Sequence, residues 1–272
     1  MKIKAIFVTL NVVLGIAFLV IFLTPVIMLG GDWSSLFWSH NWPVAVVFLA
    51  ALGAVDAYFL INWTLFQGLE KEDWTSVAGF LEKRIFHRGW VSSMHVRLLL
   101  NTYLVTSNLE SIRALETFLR GRKPRLIARY SLQFSIPYLL SKDAKEQEAF
   151  FRELLATKKV SDRGWMRWNH AFSLLQMKSA DEAQAELASL AQSGNDQVLQ
   201  LLSLYLLDVV AKNDPELERR VSDLRRTLRE RSTPQELSKT IEKAGANMEV
   251  VVLSRMLHDA VEWLYAASAA RT

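Results

Sequence analysis

The hydrophobic pattern at the start of the chain is that of two apolar helices of membrane-spanning length. Residues 5–30 contain no charged side chain, and residues 43–67 contain one, Asp56. Both runs reach the roughly 20 residues that a helix needs to cross a bilayer. The loop between them carries Trp33, Trp38 and Trp42, and tryptophan favours the membrane–water interface. The pattern therefore predicts a transmembrane helical hairpin over residues 1–69. A cleaved signal peptide is disfavoured, since no small-x-small site follows the first run.

Three polar residues interrupt the predicted spans. Asn11 and Asn62 fall at similar depths in an antiparallel hairpin, so we expect them to share a hydrogen bond. Asp56 lies deeper, opposite Gly15. An acidic group at that depth needs a partner. It is either a proton or ion site, a contact to a partner's membrane helix, or a protonated aspartate in the seam of the hairpin.

The pattern changes after residue 70 to helical periodicity that repeats. Half-exposed amphipathic stretches begin at Asp73, Leu109, Lys145, Ala180 and Pro215. Their starts lie 36, 36, 35 and 35 residues apart, and a more hydrophobic stretch lies between each pair. Alternating buried and half-exposed helices at this period favour helix hairpins stacked side by side. The sequence thus predicts an all-α protein in which residues 70–272 form an α-solenoid behind two transmembrane helices.

Particular positions in these repeats carry a family resemblance. In residues 164–197, small and large apolar residues occur at the offsets of a tetratricopeptide repeat: Ala171, Leu174, Ala183, Leu187 and Leu190. A second unit at 93–126 matches at Tyr103, Ile112 and Pro124 and departs at Leu100 and Glu116. The region resembles the tetratricopeptide-repeat (TPR) family. The resemblance implies a scaffold that holds a protein partner on its concave face, with no catalytic residues.

The last hydrophobic stretch begins at Met248 and has an apolar side at helical spacing. We predict that it forms a capping helix that docks on the last repeat. A partner-binding helix is the alternative.

Composition narrows the function classes. The chain has no cysteine, which excludes disulfides, thiolate metal sites and cysteine nucleophiles. Its net charge of +4 is too small to favour nucleic-acid binding. The five histidines are scattered without metal-ligand spacing, and no phosphate-binding or nucleophile motif is present. We therefore expect no enzyme activity, no cofactor and no metal.

One basic cluster is a candidate contact site. It lies at a predicted turn between helices and consists of Arg120, Arg122, Lys123, Arg125 and Arg129. Such a cluster suits an acidic partner segment or anionic lipid head groups. A solvated turn whose arginines neutralise helix C-terminal carbonyls is the alternative. A second arginine-rich stretch, 219–231, is interleaved with acidic residues and is typical of an exposed helix face.

Lysine and arginine flank the outer ends of both spans but are absent from the loop between them. By the positive-inside rule, this predicts cytoplasmic termini and a cytoplasmic soluble domain, with the periplasmic orientation as the alternative. The layout is similar to that of bacterial inner-membrane assembly proteins, and we expect a multi-pass protein of that membrane.

The expected function is a membrane-anchored scaffold that mediates protein–protein interactions within a larger envelope complex. Its expected partners are membrane lipid and one or more proteins, and a homo-oligomer is left open. Two other hypotheses remain. One is a structural subunit of a membrane motor or secretion apparatus. The other is an unrecognised transporter or enzyme that uses Asp56.

Overall fold

The computed structural model describes residues 3–193, 196–245 and 248–266. These residues are helical almost throughout and contain no β-strand. The prediction of an all-α chain with two apolar N-terminal helices followed by a helical domain is confirmed. The chain divides into two compact units, Met1–Thr106 and Ser107–Thr272. The first unit thus extends beyond the predicted hairpin and includes the helices up to Thr106.

The first helical stretch, α1 (Ile3–Ile61), is folded back on itself. In a straight helix, Phe7 and Phe59 would lie about 78 Å apart. Their ring centroids are instead 5.0 Å apart, and those of Phe18 and Phe48 are 5.4 Å apart. The stretch is therefore an antiparallel pair, with a first arm Lys4–Thr24 and a second arm Ser35–Ile61.

The second arm begins earlier than the sequence pattern indicates. Trp38 and Trp42, which were expected in the loop, are helical, and the Trp38 ring packs 5.5 Å from the Phe22 ring of the first arm. An interfacial tryptophan pattern does not distinguish a loop from a helix end, so the boundary could not be read from it. The side chain of Trp33 lies outside the described residues.

Three short helices follow the arms in the first unit: α2 (Trp63–Glu70), α3 (Trp74–Glu82) and, after a π-helical turn at Lys83–His87, α4 (Ser93–Val105). Asp73 caps α3 by accepting a hydrogen bond from the Ser76 backbone N–H at 3.1 Å. Helices α2 and α3 approach closely at Gly68, where a Cβ would lie 2.7 Å from Val77 Cγ2. The chain therefore returns along α3 towards the end of the second arm.

The second unit consists of successive helix hairpins. Its helices are α5 (Leu109–Arg120), α6 (Pro124–Arg129), α7 (Ser131–Leu139), α8 (Ala144–Ala156), α9 (Arg163–Gln176), α10 (Ala180–Ser193), α11 (Gln197–Val210), α12 (Pro215–Arg231), α13 (Pro234–Ala244), α14 (Met248–Val252) and α15 (Ser254–Tyr265). Consecutive helices from α7 to α12 pack on one another, and α7, α9 and α11 also contact each other in sequence. This is how stacked hairpins bury their apolar faces on their neighbours.

Helix caps recur with the repeat. Asn108, Asp143 and Asp214 precede α5, α8 and α12, and each accepts a hydrogen bond from a first-turn backbone N–H. These side chains satisfy amide groups that have no partner within their own helix. Helices α5, α8 and α12 therefore begin with the same capping arrangement.

The small residues at the predicted packing positions are fully buried. Ala171 on α9 and Ala183 on α10 have 0% exposure, whereas Ala185 on α10 is exposed. Helices α9 and α10 pack directly on each other. Small side chains at these positions allow the two backbones to approach.

We expect Ala183→Leu to lower the free energy of unfolding by about 1–3 kcal/mol, because the added atoms have no space in a close-packed interface. Chemical denaturation of the full chain in detergent would measure the change. Ala185→Leu makes the same substitution on the exposed face of the same helix and should change stability by less than about 0.5 kcal/mol. Equal effects of the two substitutions would contradict tight packing at position 183.

The C-terminal helices lie across the first helices of the hairpins. Glu249 on α14 accepts hydrogen bonds from Ser135 on α7 and Asn169 on α9. Trp263 on α15 donates a hydrogen bond to Asp208 on α11 at 2.9 Å. The segment predicted as a cap on the last repeat therefore reaches beyond that repeat and covers a face formed by α7, α9 and α11.

Candidate functional site

The predicted basic cluster lies at the corner between α5 and α6. One of its members, Arg120, is paired with two carboxylates. Its Nε donates to Glu116 Oε1 at 2.9 Å, and its guanidinium also pairs with Glu153 on α8. Burial lowers the pKa of Arg120, but its hydrogen bonds to Glu153 and Glu116 outweigh this effect and raise the pKa. Arg120 therefore joins α5 to α8 and contributes little positive charge to the surface.

Glu116, one of these two carboxylates, is buried and only 3% exposed. It also accepts a hydrogen bond from the Tyr138 hydroxyl on α7 at 2.8 Å. Burial raises the pKa of Glu116, and the hydrogen bonds from Tyr138 and Arg120 act in the opposite direction. The departure from the TPR pattern at position 116 thus has a structural role: the carboxylate links α5 to α7 and holds Arg120, which pairs with Glu153 on α8.

The other members of the predicted cluster, Arg122, Lys123, Arg125 and Arg129, are exposed. The Arg122 guanidinium lies 4.4 Å from the centroid of the Phe118 ring. Arg122, Arg125 and Arg129 form no ion pair among the residues that the structure describes. Their charges are therefore available to an anionic partner.

A neighbouring corner enlarges this surface. The Ser161 backbone N–H donates to Ala128 O at 2.9 Å, and the Ser131 hydroxyl donates to Ser161 O at 2.7 Å. These bonds hold the loop between α8 and α9 against α6 and α7. The loop adds two exposed lysines, Lys158 and Lys159.

We call these six side chains the basic edge: Arg122, Lys123, Arg125, Arg129, Lys158 and Lys159. The exposed Asp162 lies in the same loop as the two lysines and offsets one of the six charges. Lys158 follows Lys123 by 35 residues, the length of one repeat. This spacing could have indicated from the sequence that Lys158 lies near the predicted cluster.

The predicted hydrogen bond between Asn11 and Asn62 is not formed. Asn11 Nδ2 donates to Phe7 O at 3.1 Å within its own helix. Asn62 Oδ1 instead accepts from Arg84 NH1 at 2.7 Å. The Phe7–Phe59 contact sets the register of the arms and places Asn11 level with residue 55 rather than 62.

The same register moves Asp56 away from Gly15. It brings Asp56 level with residue 10, one residue from Asn11. Its Oδ1 is buried and has no hydrogen-bond partner among the described residues. Those residues also contain no group of three or more histidine and acidic side chains that could hold a metal ion.

Sequence reasoning missed a buried acid at the centre of the second unit. Glu249 has 0% exposure, and its Oε1 accepts from Ser135 Oγ at 2.5 Å and from Asn169 Nδ2 at 3.0 Å. Burial raises its pKa to about 8, with a smaller contribution from the charge of Asp162. A single glutamate directly before the apolar run 250–253 was the available signal.

These features define an all-helical protein in which two apolar N-terminal helices precede a helical domain. The chain belongs to the family described as uncharacterised Treponema protein, whose sequence model matches residues 111–266. An uncharacterized protein of Treponema pallidum (strain Nichols) is 27% identical over 282 residues, which cover 97% of this chain and 88% of that protein. The similarity thus extends into both units. No solved structure matches the chain.

Proposed function

We propose that the protein is a membrane-anchored helical-repeat scaffold that holds a partner protein within a larger bacterial envelope complex. One observation carries the proposal. The two arms have 21 and 27 residues and mean hydropathies of 2.8 and 2.3, yet only 6% of each apolar window is buried. Apolar helices of this length in the core of a soluble protein would be mostly buried, whereas exposed ones match the hydrocarbon of a bilayer.

The finer description of the second unit is a TPR-like α-solenoid. The repeat near 35 residues, the recurring caps and the buried Ala171 and Ala183 support it. Such a stack exposes long edges and faces on which a partner can lie. Because α14 and α15 cover the face formed by α7, α9 and α11, the partner surface proposed here is the basic edge and not that face.

The partner proposed for this surface is a protein segment rich in aspartate and glutamate. Exposed cations at an interface rim contribute to the rate and specificity of association through complementary charge. The proposed location is a bacterial inner membrane, with the second unit in the cytoplasm. The similarity to a Treponema pallidum protein supports the bacterial setting.

The test is crosslinking in native membranes followed by purification of the full chain and mass spectrometry of the attached proteins. The edge variant Arg125→Glu/Lys159→Glu should reduce the yield of the main crosslinked partner by about tenfold. The control variant Arg219→Glu/Arg231→Glu reverses two exposed arginines of α12 and should leave the yield within about twofold. Each double variant changes the net charge by the same amount.

Two outcomes would contradict the proposal at different levels. An unchanged yield in the edge variant would exclude the basic edge as the partner surface. Recovery of the wild-type chain as a monomer, with no partner above background, would contradict the scaffold function itself.

Asp56 supports a second candidate, a structural subunit of a membrane motor or secretion apparatus. Its Oδ1 has no hydrogen-bond partner among the described residues, and most of the residues of both arms are not buried, so packing against a helix of another subunit could supply the missing donor. Asp56→Asn should then weaken assembly with that subunit in native membranes. A transporter or enzyme that uses Asp56 remains a hypothesis without a further supporting residue.

A further inference from the structure

The segment after the second arm has an uneven distribution of charge. Residues 83–106 contain Lys83, Arg84, Arg88 and Arg97 and no aspartate or glutamate. The end of α2 and the turn that follows it contain Glu70, Glu72 and Asp73, with Lys71. Positive and negative side chains are thus largely separated within this part of the first unit. The exception is Glu82, which precedes Lys83 and accepts a hydrogen bond from the Tyr103 hydroxyl at 2.8 Å.

The order of the helices determines where the basic and acidic ends of this segment lie relative to the second arm. Helix α2 leads away from the second arm over eight residues, or about 12 Å. Helix α3 returns antiparallel to it, as the Gly68–Val77 contact and the Arg84–Asn62 hydrogen bond together require. The basic end of the segment therefore lies beside Asn62, directly after the arm ends, and the acidic turn lies at the far end of α2.

Arg84 fixes this arrangement. It is 8% exposed and forms no ion pair among the residues that the structure describes. Its guanidinium lies 5.2 Å from the Trp90 ring centroid, and the Trp90 backbone N–H donates to Arg84 O at 3.0 Å. Trp90 is thereby held at the level of Asn62, at the end of the proposed membrane span.

The residues that flank Arg84 and Trp90 in the chain include exposed apolar and basic side chains. Trp90 is 61% exposed and Met94 is 56% exposed. Lys83, His87 and Arg88 precede Trp90 in the chain and are also exposed. We call these five side chains the juxtamembrane patch. Tryptophan favours the head-group region, and lysine and arginine are attracted to anionic lipids.

We propose that the juxtamembrane patch lies on the anionic lipid surface of the membrane that the arms span, with Trp90 and Met94 at head-group depth. The proposal rests on the membrane anchoring proposed above. It assigns lipid as the partner of the first unit, whereas the basic edge of the second unit is assigned to protein. Contact with the bilayer would fix the direction in which the first unit leaves the membrane.

The absence of cysteine makes a direct depth measurement feasible, because each introduced cysteine is the only labelling site. Full-length Met94→Cys, Glu70→Cys and Val47→Cys would carry a nitroxide and be reconstituted in nanodiscs of phosphatidylcholine with 30% phosphatidylglycerol, or of phosphatidylcholine alone. Accessibility to oxygen and to a water-soluble nickel complex reports the depth of each label. We expect the label at 94 to lie at head-group depth in anionic nanodiscs and closer to water in phosphatidylcholine alone. The label at 70 should lie in water, and the label at 47 in the acyl region.

Charge reversal tests the role of the patch. In the background of Met94→Cys, Lys83→Glu/Arg88→Glu should reduce the population at head-group depth by about tenfold in anionic nanodiscs. Glu70→Lys/Glu72→Lys, a reversal of equal size at the acidic turn, should not reduce it.

Three results would overturn the inference. A label at 94 that is aqueous in both nanodiscs, with the label at 47 in the acyl region, would remove the patch from the membrane and leave the anchoring intact. Equal head-group depth in both nanodiscs would exclude a requirement for anionic lipid. An aqueous label at 47 would contradict the anchoring itself, and the inference would fail with it.

Discussion

Glu249→Gln is expected to make the protein more stable at pH 9 and to flatten the dependence of its stability on pH. The glutamine amide retains an oxygen that accepts from Ser135 and Asn169, and it stays neutral at every pH. The native carboxyl must instead ionise inside the protein as the pH rises. The substitution therefore removes the cost of a buried charge without removing the hydrogen bonds.

The direction of the effect follows from the two protonation equilibria. The pKa of Glu249 is about 8 in the folded protein, against an ordinary value of 4.5. Below the lower value the carboxyl is neutral in both states. Between the two values the folded state holds one more proton than the unfolded state, so the free energy of unfolding falls as the pH rises. The total loss is on the order of 5 kcal/mol and is complete above the folded pKa.

Denaturation of the full chain in detergent at pH 5, 7 and 9 would measure this effect. Wild type should lose stability between pH 5 and 9 relative to the Glu249→Gln variant. Glu242→Gln, at an exposed position on α13, makes the same change in charge and should follow the wild-type curve. Parallel curves for wild type and Glu249→Gln would show that Glu249 is already ionised in the folded protein at neutral pH.

Ala260→Asp is expected to release α15 from the second unit. Ala260 has 0% exposure on a helix that packs against α11 and α12. A carboxylate introduced at this position would be buried, and an unpaired buried charge costs about 3–5 kcal/mol. Undocking of α15 avoids this cost, so local opening should precede unfolding of the rest of the unit.

Hydrogen exchange of the full chain would locate the change. Amides of α14 and α15 should lose protection in Ala260→Asp, while those of α8 to α10 keep it. Ala114→Asp places the same charge at an exposed position of α5 and should leave protection of α14 and α15 unchanged. Unaltered exchange in Ala260→Asp would mean that α15 is not docked on α11 in solution.

The predicted basic cluster shows which features of the candidate site could be predicted from the sequence and which could not. The sequence placed Arg120, Arg122, Lys123, Arg125 and Arg129 together, and all five do lie at one corner. It could not separate Arg120 from the others, because the partner Glu153 is 33 residues away on another helix. Lys158 and Lys159 belong to the same surface only because the loop between α8 and α9 is bonded to α6 and α7.

The polar residues of the arms show the same limit. Their positions in apolar runs were evident, but their pairing depended on register. Relative to the predicted pairing of Asn11 with Asn62, the arms are shifted by about two helical turns. This shift brings Asp56 close to the level of Asn11, and Asn62 accepts a hydrogen bond from Arg84 instead. Composition does not determine where a helical hairpin turns, and that position sets every pairing along it.

The sequence by itself determined the helical class, the two apolar helices, the repeat near 35 residues and most of the helix starts. These features depend on neighbours within a few residues, namely periodicity, caps and uninterrupted apolar runs. Only the tertiary structure decided the register of the arms, the position of Arg84 beside Asn62 and the placement of α14 and α15 across α7, α9 and α11. Those features depend on pairs such as Ser135 and Glu249, which are 114 residues apart. Such pairs form because of the way whole helices pack, and local patterns of hydrophobic and polar residues do not predict that packing.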